Sequence, residues 1–371
     1  MLHASPRRHA RSARGDQGRV PRYRLGAPLL LAAALALSGC GSSGSTAAAS
    51  PPSASSPASV KAAYPVTVQN CGTPVTFTSE PKRAVSNDIN TTEDMLALGL
   101  QSRMVGDFGV TGDGPEGHPV PAQYLTAFHQ VRDVSSDYFT LETLVGLHPD
   151  FLFAGWNYGL QAGTRLTPAG LASFGIKTLA LSESCAHVNP GEKSASINDT
   201  YQDLANLGAI FNVRSRASQV IAQMKAQVAA AHAKVAGLKP VSVFLYDSGQ
   251  AAPFTAPGLA MPNALIQLGG GTNIFGSLMQ SWTSVSWETV VARHPQCIII
   301  NDYGTPTWQQ KAQFLKTDPA SRNLPAVRNG CIIHLAYDQV TPSPRNAEAV
   351  LAIARLLHPA AFGLPSVRST Q

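Results

Sequence analysis

A chain of 371 residues with 44% hydrophobic content is long enough to bury two cores, and its 28 Lys and Arg against 22 Asp and Glu look basic. The excess is local, because residues 1–39 hold seven of the arginines and one acid, Asp16, leaving 21 against 21 in the remainder. That balance, without any Lys/Arg cluster, excludes a surface that tracks nucleic-acid phosphates.

Seven arginines between Arg7 and Arg24 precede an apolar run from Leu25 to Leu37, then Leu37-Ser38-Gly39-Cys40. The run is shorter than the roughly 20 apolar residues a membrane span needs. It reads as an export signal over residues 1–39. A plain secretory cleavage is one reading; Leu-Ser-Gly-Cys also resembles the bacterial lipobox, which implies cleavage before Cys40, lipid on its thiol and anchorage to the cell membrane. Residues 40–63 are then the lipidated Cys40 and a Ser/Ala/Pro-rich tether that cannot bury enough apolar surface to order itself.

From Tyr64 onward, strand-like and helix-like runs alternate. Arg83 to Ser86 precedes Thr91 to Leu98; Met104 to Gly106 follows; Leu141 to Leu147 precedes Phe151 to Ala154; Leu166 to Phe174 precedes Lys177 to Leu181. The pattern restarts with Val241 to Tyr246, Pro262 to Leu268, Glu288 to Arg293, Cys297 to Asn301, Cys331 to Leu335 and a helix from Asn346 to Leu357. Such alternation predicts βαβ units and parallel sheets in two Rossmann-like α/β lobes, residues 64–207 and 237–371. Between them, over 208–236, Ala217, Val220, Ile221, Met224, Val228, Ala231 and Val235 recur at helical spacing, with Ser215 as expected N-cap and Gly237 and Pro240 as stops. This predicts one long helix, either a strut joining the lobes or a solvent-facing helix of one lobe.

Four further cysteines, Cys71, Cys185, Cys297 and Cys331, make an even set without C-x-x-C spacing. In an exported chain this favours disulfides over metal ligation. The expected pairs are Cys71 with Cys185 and Cys297 with Cys331, which keeps each bridge within one lobe; buried free thiols are the alternative.

Residues 142–153 align without gaps on residues 288–299, with Glu, Thr, Val, His and Pro coinciding. Each copy opens a short helix with Glu142 or Glu288, near the end where the helix dipole favours a carboxylate, and turns through His148-Pro149 or His294-Pro295 into an apolar strand. This repeat, with Glu80 to Val85, Thr92 to Gly99, Leu268 to Phe275, Val285 to Glu288 and Pro342 to Arg345, resembles the binding domain of the ABC importers for ferric siderophores, haem and cobalamin. The resemblance spans about Tyr64 to Pro359. It implies two lobes that hinge little about one long helix, ligand in the cleft between them, and delivery to an ABC permease dimer through Glu142 and Glu288.

Ligands of doubly wound sheets sit beyond the carboxyl ends of the strands. The candidates there are Asn87, Asp88, Asn90, Phe108, Trp156, Asn157, Tyr158, Tyr246, Asp247, Trp282, Tyr303, Tyr337 and Arg345, with Trp156 and Tyr158 foremost because glycines flank them. Aromatic rings and amides suit a bulky chelate. Only Arg345, with Arg165, brings positive charge near these loops, so a neutral hydroxamate ferric siderophore is favoured over an anionic catecholate, with a corrinoid or haem as alternative. Enzyme motifs such as G-x-S-x-G, H-E-x-x-H and the P-loop are absent from the sequence. The expectation is therefore a monomeric solute-binding protein, not an enzyme, with no resident metal or cofactor; a bare-metal binder and a non-transport lipoprotein are the remaining classes.

Overall fold

The computed structural model describes residues 64–110, 120–189 and 193–365. Cys40, the leader and the tether lie outside them.

The first lobe opens with an antiparallel hairpin, β1 (Val66–Asn70) and β2 (Thr73–Phe77). Then come β3 (Ala84–Asn87), α1 (Ile89–Ala97), β4 (Met104–Phe108), α2 (Ala122–Phe128), β5 (Asp133–Ser135), α3 (Leu141–Gly146), β6 (Phe151–Trp156), the two-residue β7 (Gly159–Leu160), α4 (Pro168–Ala172) and β8 (Lys177–Ala180). A 3-10 turn at Ser182–His187 and α5 (Ile197–Ile210) close it. The main strands are parallel in the order β5-β4-β3-β6-β8. All four residues of β3 are buried, as a central parallel strand covered on both faces requires.

After α6 (Arg214–Val235), the second lobe runs β9 (Val241–Tyr246), β10 (Phe254–Thr255), α7 (Met261–Leu268), β11 (Gly271–Asn273), β12 (Thr283–Ser284), α8 (Trp287–Ala292), β13 (Cys297–Asp302), α9 (Trp308–Thr317), α10 (Pro325–Arg328), β14 (Ile332–Ala336), α11 (Tyr337–Val340) and α12 (Asn346–Leu357). Its sheet is parallel, ordered β11-β9-β13-β14. The expected strands and helices are present within a few residues of their predicted bounds. The periodicity reading passed over the β1–β2 hairpin, α2, α5 and α9, and the short elements β5, β7, β10, β11, β12, α10 and α11.

Helix α6 has the expected length and buried stripe, Ala217, Val220, Met224, Val228, Ala231 and Val235. Its start differs from the prediction. Residues 208–210 belong to α5, Asn212 turns the chain in the left-handed region (φ 57°), and α6 begins at Arg214 with Ser215 inside it instead of capping it. Arg216 Nε donates to Ala97 O (2.8 Å) at the end of α1, and the His232 ring lies 3.0 Å from Leu268 O at the end of α7. These anchors, sixteen residues or roughly 24 Å apart along the helix, tie α6 to both lobes. Its buried stripe belongs to one continuous core that contains Phe77, Met95 and Leu204 of the first lobe and Leu265, Ile299 and Ile353 of the second. Two smaller clusters fill the interior of each lobe separately.

Both expected disulfides are formed, Cys71–Cys185 and Cys297–Cys331. The first fastens the hairpin turn to the 3-10 turn. Asn70 strengthens that seam by pairing with both backbone groups of Ala180, at 2.6 and 2.7 Å. Because the bridges close loops of 114 and 34 residues, the chain-entropy cost they remove from the unfolded state differs. Replacing Cys71 and Cys185 together by Ala is expected to cost ~2–5 kcal/mol in chemical denaturation, and replacing Cys297 and Cys331 less; the reverse order would contradict this assignment.

Candidate ligand-binding cleft

In each sheet the chain starts in the middle and leaves to both sides. The reversal falls between β3 and β6 in the first lobe and between β9 and β13 in the second, and the crevice at such a switch point is where doubly wound folds take ligand. Four strand ends therefore build the cleft: Asn87-Asp88, Trp156 to Tyr158, Tyr246-Asp247 and Asp302-Tyr303.

Asp88 lies at its base. It caps α1, accepting from Ile89 N at 2.8 Å, with a backbone held at φ 87°, a conformation that non-glycine residues keep only where their surroundings enforce it. Its Oδ2 accepts two hydroxyls, Tyr138 at 2.6 Å from the first lobe and Tyr337 at 2.7 Å from the second. Burial pushes its carboxyl up to about 6, against the pull of those two hydrogen bonds. Asn87 spends its amide on Tyr158 O (3.0 Å) and Phe139 N (3.1 Å), and Asn90 donates to Pro342 O (3.0 Å) across the lobes.

A cavity of about 300 Å3 opens between the lobes, lined by Asn157, Tyr158 and His187 from the first and by Asp247, Phe254, Trp282 and Tyr337 from the second. Phe254 and Trp282 are stacked with centroids 6.0 Å apart. Asp247 is held by Asn301 Nδ2 (2.6 Å) and Ser248 Oγ (2.9 Å); burial raises its carboxyl, and these donors with the Lys311 charge oppose that rise. Lys311 is buried, bonds Asn301 O at 2.6 Å, lies 3.5 Å from the Tyr303 ring centroid and is pushed down to about 8 by desolvation. A wider chamber of about 710 Å3 has walls that include Pro121, Leu125, Asp302, Trp308, His334 and Arg345. Ala336 lines this chamber and the next residue, Tyr337, lines the other.

Five sequence candidates thus meet in the aromatic cavity: Asn157, Tyr158, Asp247, Trp282 and Tyr337. Others sit elsewhere. Asn87, Asn90 and Phe108 are buried, Tyr246 packs in the second-lobe core against Trp287 and Phe314, and Tyr303 covers Lys311. Trp156 packs on the first-lobe core and is not among the described residues lining either chamber. The reason is local: Asn157 takes φ 65° and reverses the chain, so Tyr158 is the ring delivered to the cleft. Gly159, at φ 104°, leaves room for this turn, since a Cβ there would come within 2.6 Å of Phe139. Arg345 reaches the wide chamber but is spent on Asp338 (2.6 Å) and Glu348 (3.2 Å). His187 and Phe254 were missed; they lie beyond the positions directly after the predicted strands Lys177 to Leu181 and Val241 to Tyr246, at the end of a 3-10 turn and in the short β10.

The internal repeat is repeated in three dimensions. α3 is capped by Thr140 and α8 by Ser286, Glu142 and Glu288 are exposed in the first turns, and His148 (φ 49°) and His294 (φ 46°) make the same left-handed turn into β6 and β13. Hydrogen bonds from its own backbone N–H and from Ser286 hold Glu288 below the ordinary carboxylate value.

With this geometry in place, comparison with known proteins is decisive. Residues 85–338 match the family model for periplasmic binding proteins. The chain belongs to that family. A cobalamin-binding protein of Halobacterium salinarum is 24% identical over 321 residues, covering 83% of this chain and 78% of that protein. A periplasmic binding protein from Veillonella parvula superposes with TM-score 0.68 at 28% identity, covering 79% of this chain and 97% of that one. A structure described as an ABC-type Fe3+-hydroxamate transport system of Saccharomonospora viridis shares the fold, with TM-score 0.67 at 21% identity over 80% of this chain and all of that one. Members are extracytoplasmic solute-binding proteins of ABC importers and not enzymes, and this binding protein shares their two-lobed architecture. No helix among the described residues is long and apolar enough to cross a membrane.

The seam between the lobes is acidic. Burial lifts Asp88 to about 6, Glu183 to about 7 and Asp203 to about 8, and Asp107 in β4 to about 8. Glu93 is raised well above its usual value by burial and by the neighbouring Asp338. Each group binds its proton more tightly folded than unfolded, so between about pH 4 and pH 8 the folded state holds more protons and stability falls as pH rises. Above pH 8 the depressed Lys311 acts in the opposite sense. Thermal unfolding between pH 4.5 and 8 is expected to show Tm decreasing by on the order of 5 °C, and a Tm that climbs over that range would contradict these protonation states.

Proposed function

We propose that this binding protein captures a bulky metal chelate of low net charge, a corrinoid foremost, in the interlobe cleft and hands it to an ABC permease. The observation that carries this reading is the character of the cleft: aromatic faces of Tyr158, Phe254, Trp282 and Tyr337, the amides of Asn157, Gln309 and Gln339, carboxylates at Asp247 and Asp302, and an arginine already paired. A catecholate complex or the two propionates of haem would bring negative charge to these carboxylates without a free cation among the described residues to meet it. Together the chambers approach about 1,000 Å3, the upper end of the small-molecule range. The name of the Halobacterium relative favours cobalamin. A neutral ferric hydroxamate, the ligand class first expected from the sequence, meets the same charge requirement and has the Saccharomonospora structure in its support.

Tryptophan quenching against cyanocobalamin, ferrioxamine B, haemin and a ferric catecholate tests this. Cyanocobalamin is expected to bind tightest and the catecholate at least about a hundredfold more weakly, or roughly 2.7 kcal/mol; preference for the catecholate would overturn the reading.

Glu142 and Glu288 are the proposed permease contacts, exposed and equivalently placed on the two lobes. Exposed charges of this kind set encounter and orientation, each worth no more than about 1 kcal/mol. Glu142→Ala with Glu288→Ala is therefore expected to leave ligand affinity within about twofold and to depress uptake in cells lacking the native protein. Loss of affinity in the double variant would instead place these residues in the fold or the cleft. Cys40 is the proposed lipid anchor, and Cys40→Ala should release the body from the detergent phase.

A further inference from the structure

At the base of the cleft the lobes are joined by α1, with its N-cap Asp88, against residues 337–345 of the second lobe. Asp88 accepts from Tyr337, Asn90 donates to Pro342 O, and Glu93 of α1 lies against Asp338 of α11. Asp338 Oδ2 is paired with Arg345 at 2.6 Å, and Arg345 also reaches Glu348 at 3.2 Å. Asp88, Glu93 and Asp338 are 3%, 0% and 1% exposed. Among the described residues, three carboxyl groups thus meet one guanidinium out of reach of bulk water, and a dry seam does not hold all three ionised.

The hydrogen bonds show which group stays neutral. Asp88 has three donors, Ile89 N and the hydroxyls of Tyr138 and Tyr337. Glu93 has none among the described residues on either oxygen, and Asp338 Oδ1 also lacks one. Two adjacent carboxyls without other donors complete each other when one carries a proton and donates it to the other. A metal ion does not fill that place, since the described residues include no group of three Asp, Glu, His or Cys able to hold one. The other charged or titratable groups facing Glu93 are Asp94 on α1, Tyr124 on α2 and Arg345 ahead of α12, and Asp94 in turn faces Asp203 of α5. Of these only Arg345 favours ionisation, and it is held by Asp338 and Glu348. Burial and the Asp338 carboxyl accordingly keep Glu93 well above the ordinary carboxylate range.

We propose that Glu93 is a neutral acid that donates its proton to Asp338 across the lobes, and that this shared proton is an alkali-sensitive latch on the cleft. While the proton is present, the O–H bridge ties α1 to α11. When solvent base removes it, two buried carboxylates repel across the same gap and the joint loosens; no other bond changes. Because Glu93 binds its proton more tightly folded than unfolded, the latch is fully made in the ordinary carboxylate range and is lost as pH rises through the raised folded value. The latch is independent of which solute the cleft takes.

The test is hydrogen exchange of the full chain, followed by mass spectrometry on peptides of α1, α11 and, as a reference outside the joint, α3. Wild type is compared with Glu93→Gln, whose amide donates to Asp338 at every pH. At about pH 5 the two should exchange alike within about twofold, and at about pH 9 wild-type α1 and α11 should exchange at least about tenfold faster than in the variant, with α3 equal in both. Asp88 and Glu183 also titrate over this span but are the same in both proteins, so the difference belongs to Glu93. An infrared difference spectrum at the lower pH should show a protonated-carboxyl C=O band in wild type that the variant lacks. Absence of that band overturns the neutral acid. Equal exchange at the higher pH, or α3 accelerating together with α1, overturns the latch. If the variant does not fold, wild type alone decides: the exchange of α1 and α11 relative to α3, in which hydroxide catalysis cancels, should rise at least about tenfold between the two pH values, and a constant ratio overturns the proposal.

Discussion

One carboxylate oxygen, Asp88 Oδ2, accepts a hydroxyl from each lobe, and the cleft depends on this contact. The bridge is buried where dielectric screening is weak, so it is strong when satisfied and costly to break. Around it the lobes share further bonds, Asn90 to Pro342, Thr200 to Asn346 and Ala195 N to Leu259 O, and helix α6 lays one apolar stripe across both. A shared core and a polar seam at the cleft base leave little freedom for one lobe to swing against the other. The cavity between them is therefore preformed, and ligand selection falls to the groups on its walls.

On the proposed reading, charge is the first filter. Asp247 and Asp302 stand on the chamber walls while Arg345 is already paired with Asp338. On the proposed reading an anionic ligand would have to approach those carboxylates without a counter-charge. A ligand with apolar bulk and amide edges would meet aromatic faces and Asn157 instead, and it is this contrast that the proposed function rests on.

Architecture was legible in the sequence because its signals are local: strand-helix alternation, the stripe of α6, the cysteine parity and the echo between residues 142–153 and 288–299. Strand β9 and helix α12 even fall on their predicted bounds. The cleft was only partly legible, because position after a strand fixes the neighbourhood of a residue but not the direction of its side chain. Trp156 and Tyr158 show the difference, two residues apart, one turned into the lobe core and one into the cavity by a single left-handed residue. Asn87 and Asn90 follow β3, yet both polar atoms of the Asn87 amide and the Asn90 amino group are taken by backbone partners more than fifty residues away. His187 depends on a disulfide and a serine–aspartate pair that bring distant segments together, which periodicity does not encode.

The central claim, a cleft preformed by lobes locked at Asp88 and along α6, is tested most directly by the distance between them. Spin labels at Glu142→Cys and Glu288→Cys in a Cys40→Ala protein occupy exposed, equivalent sites, and the four remaining cysteines are closed in disulfides. Pulsed dipolar spectroscopy is expected to show one narrow distance that moves by less than about 2 Å when ligand is added. A broad or two-peaked distribution without ligand, or a contraction well beyond that on binding, would contradict the locked cleft and show a hinge-closing protein instead.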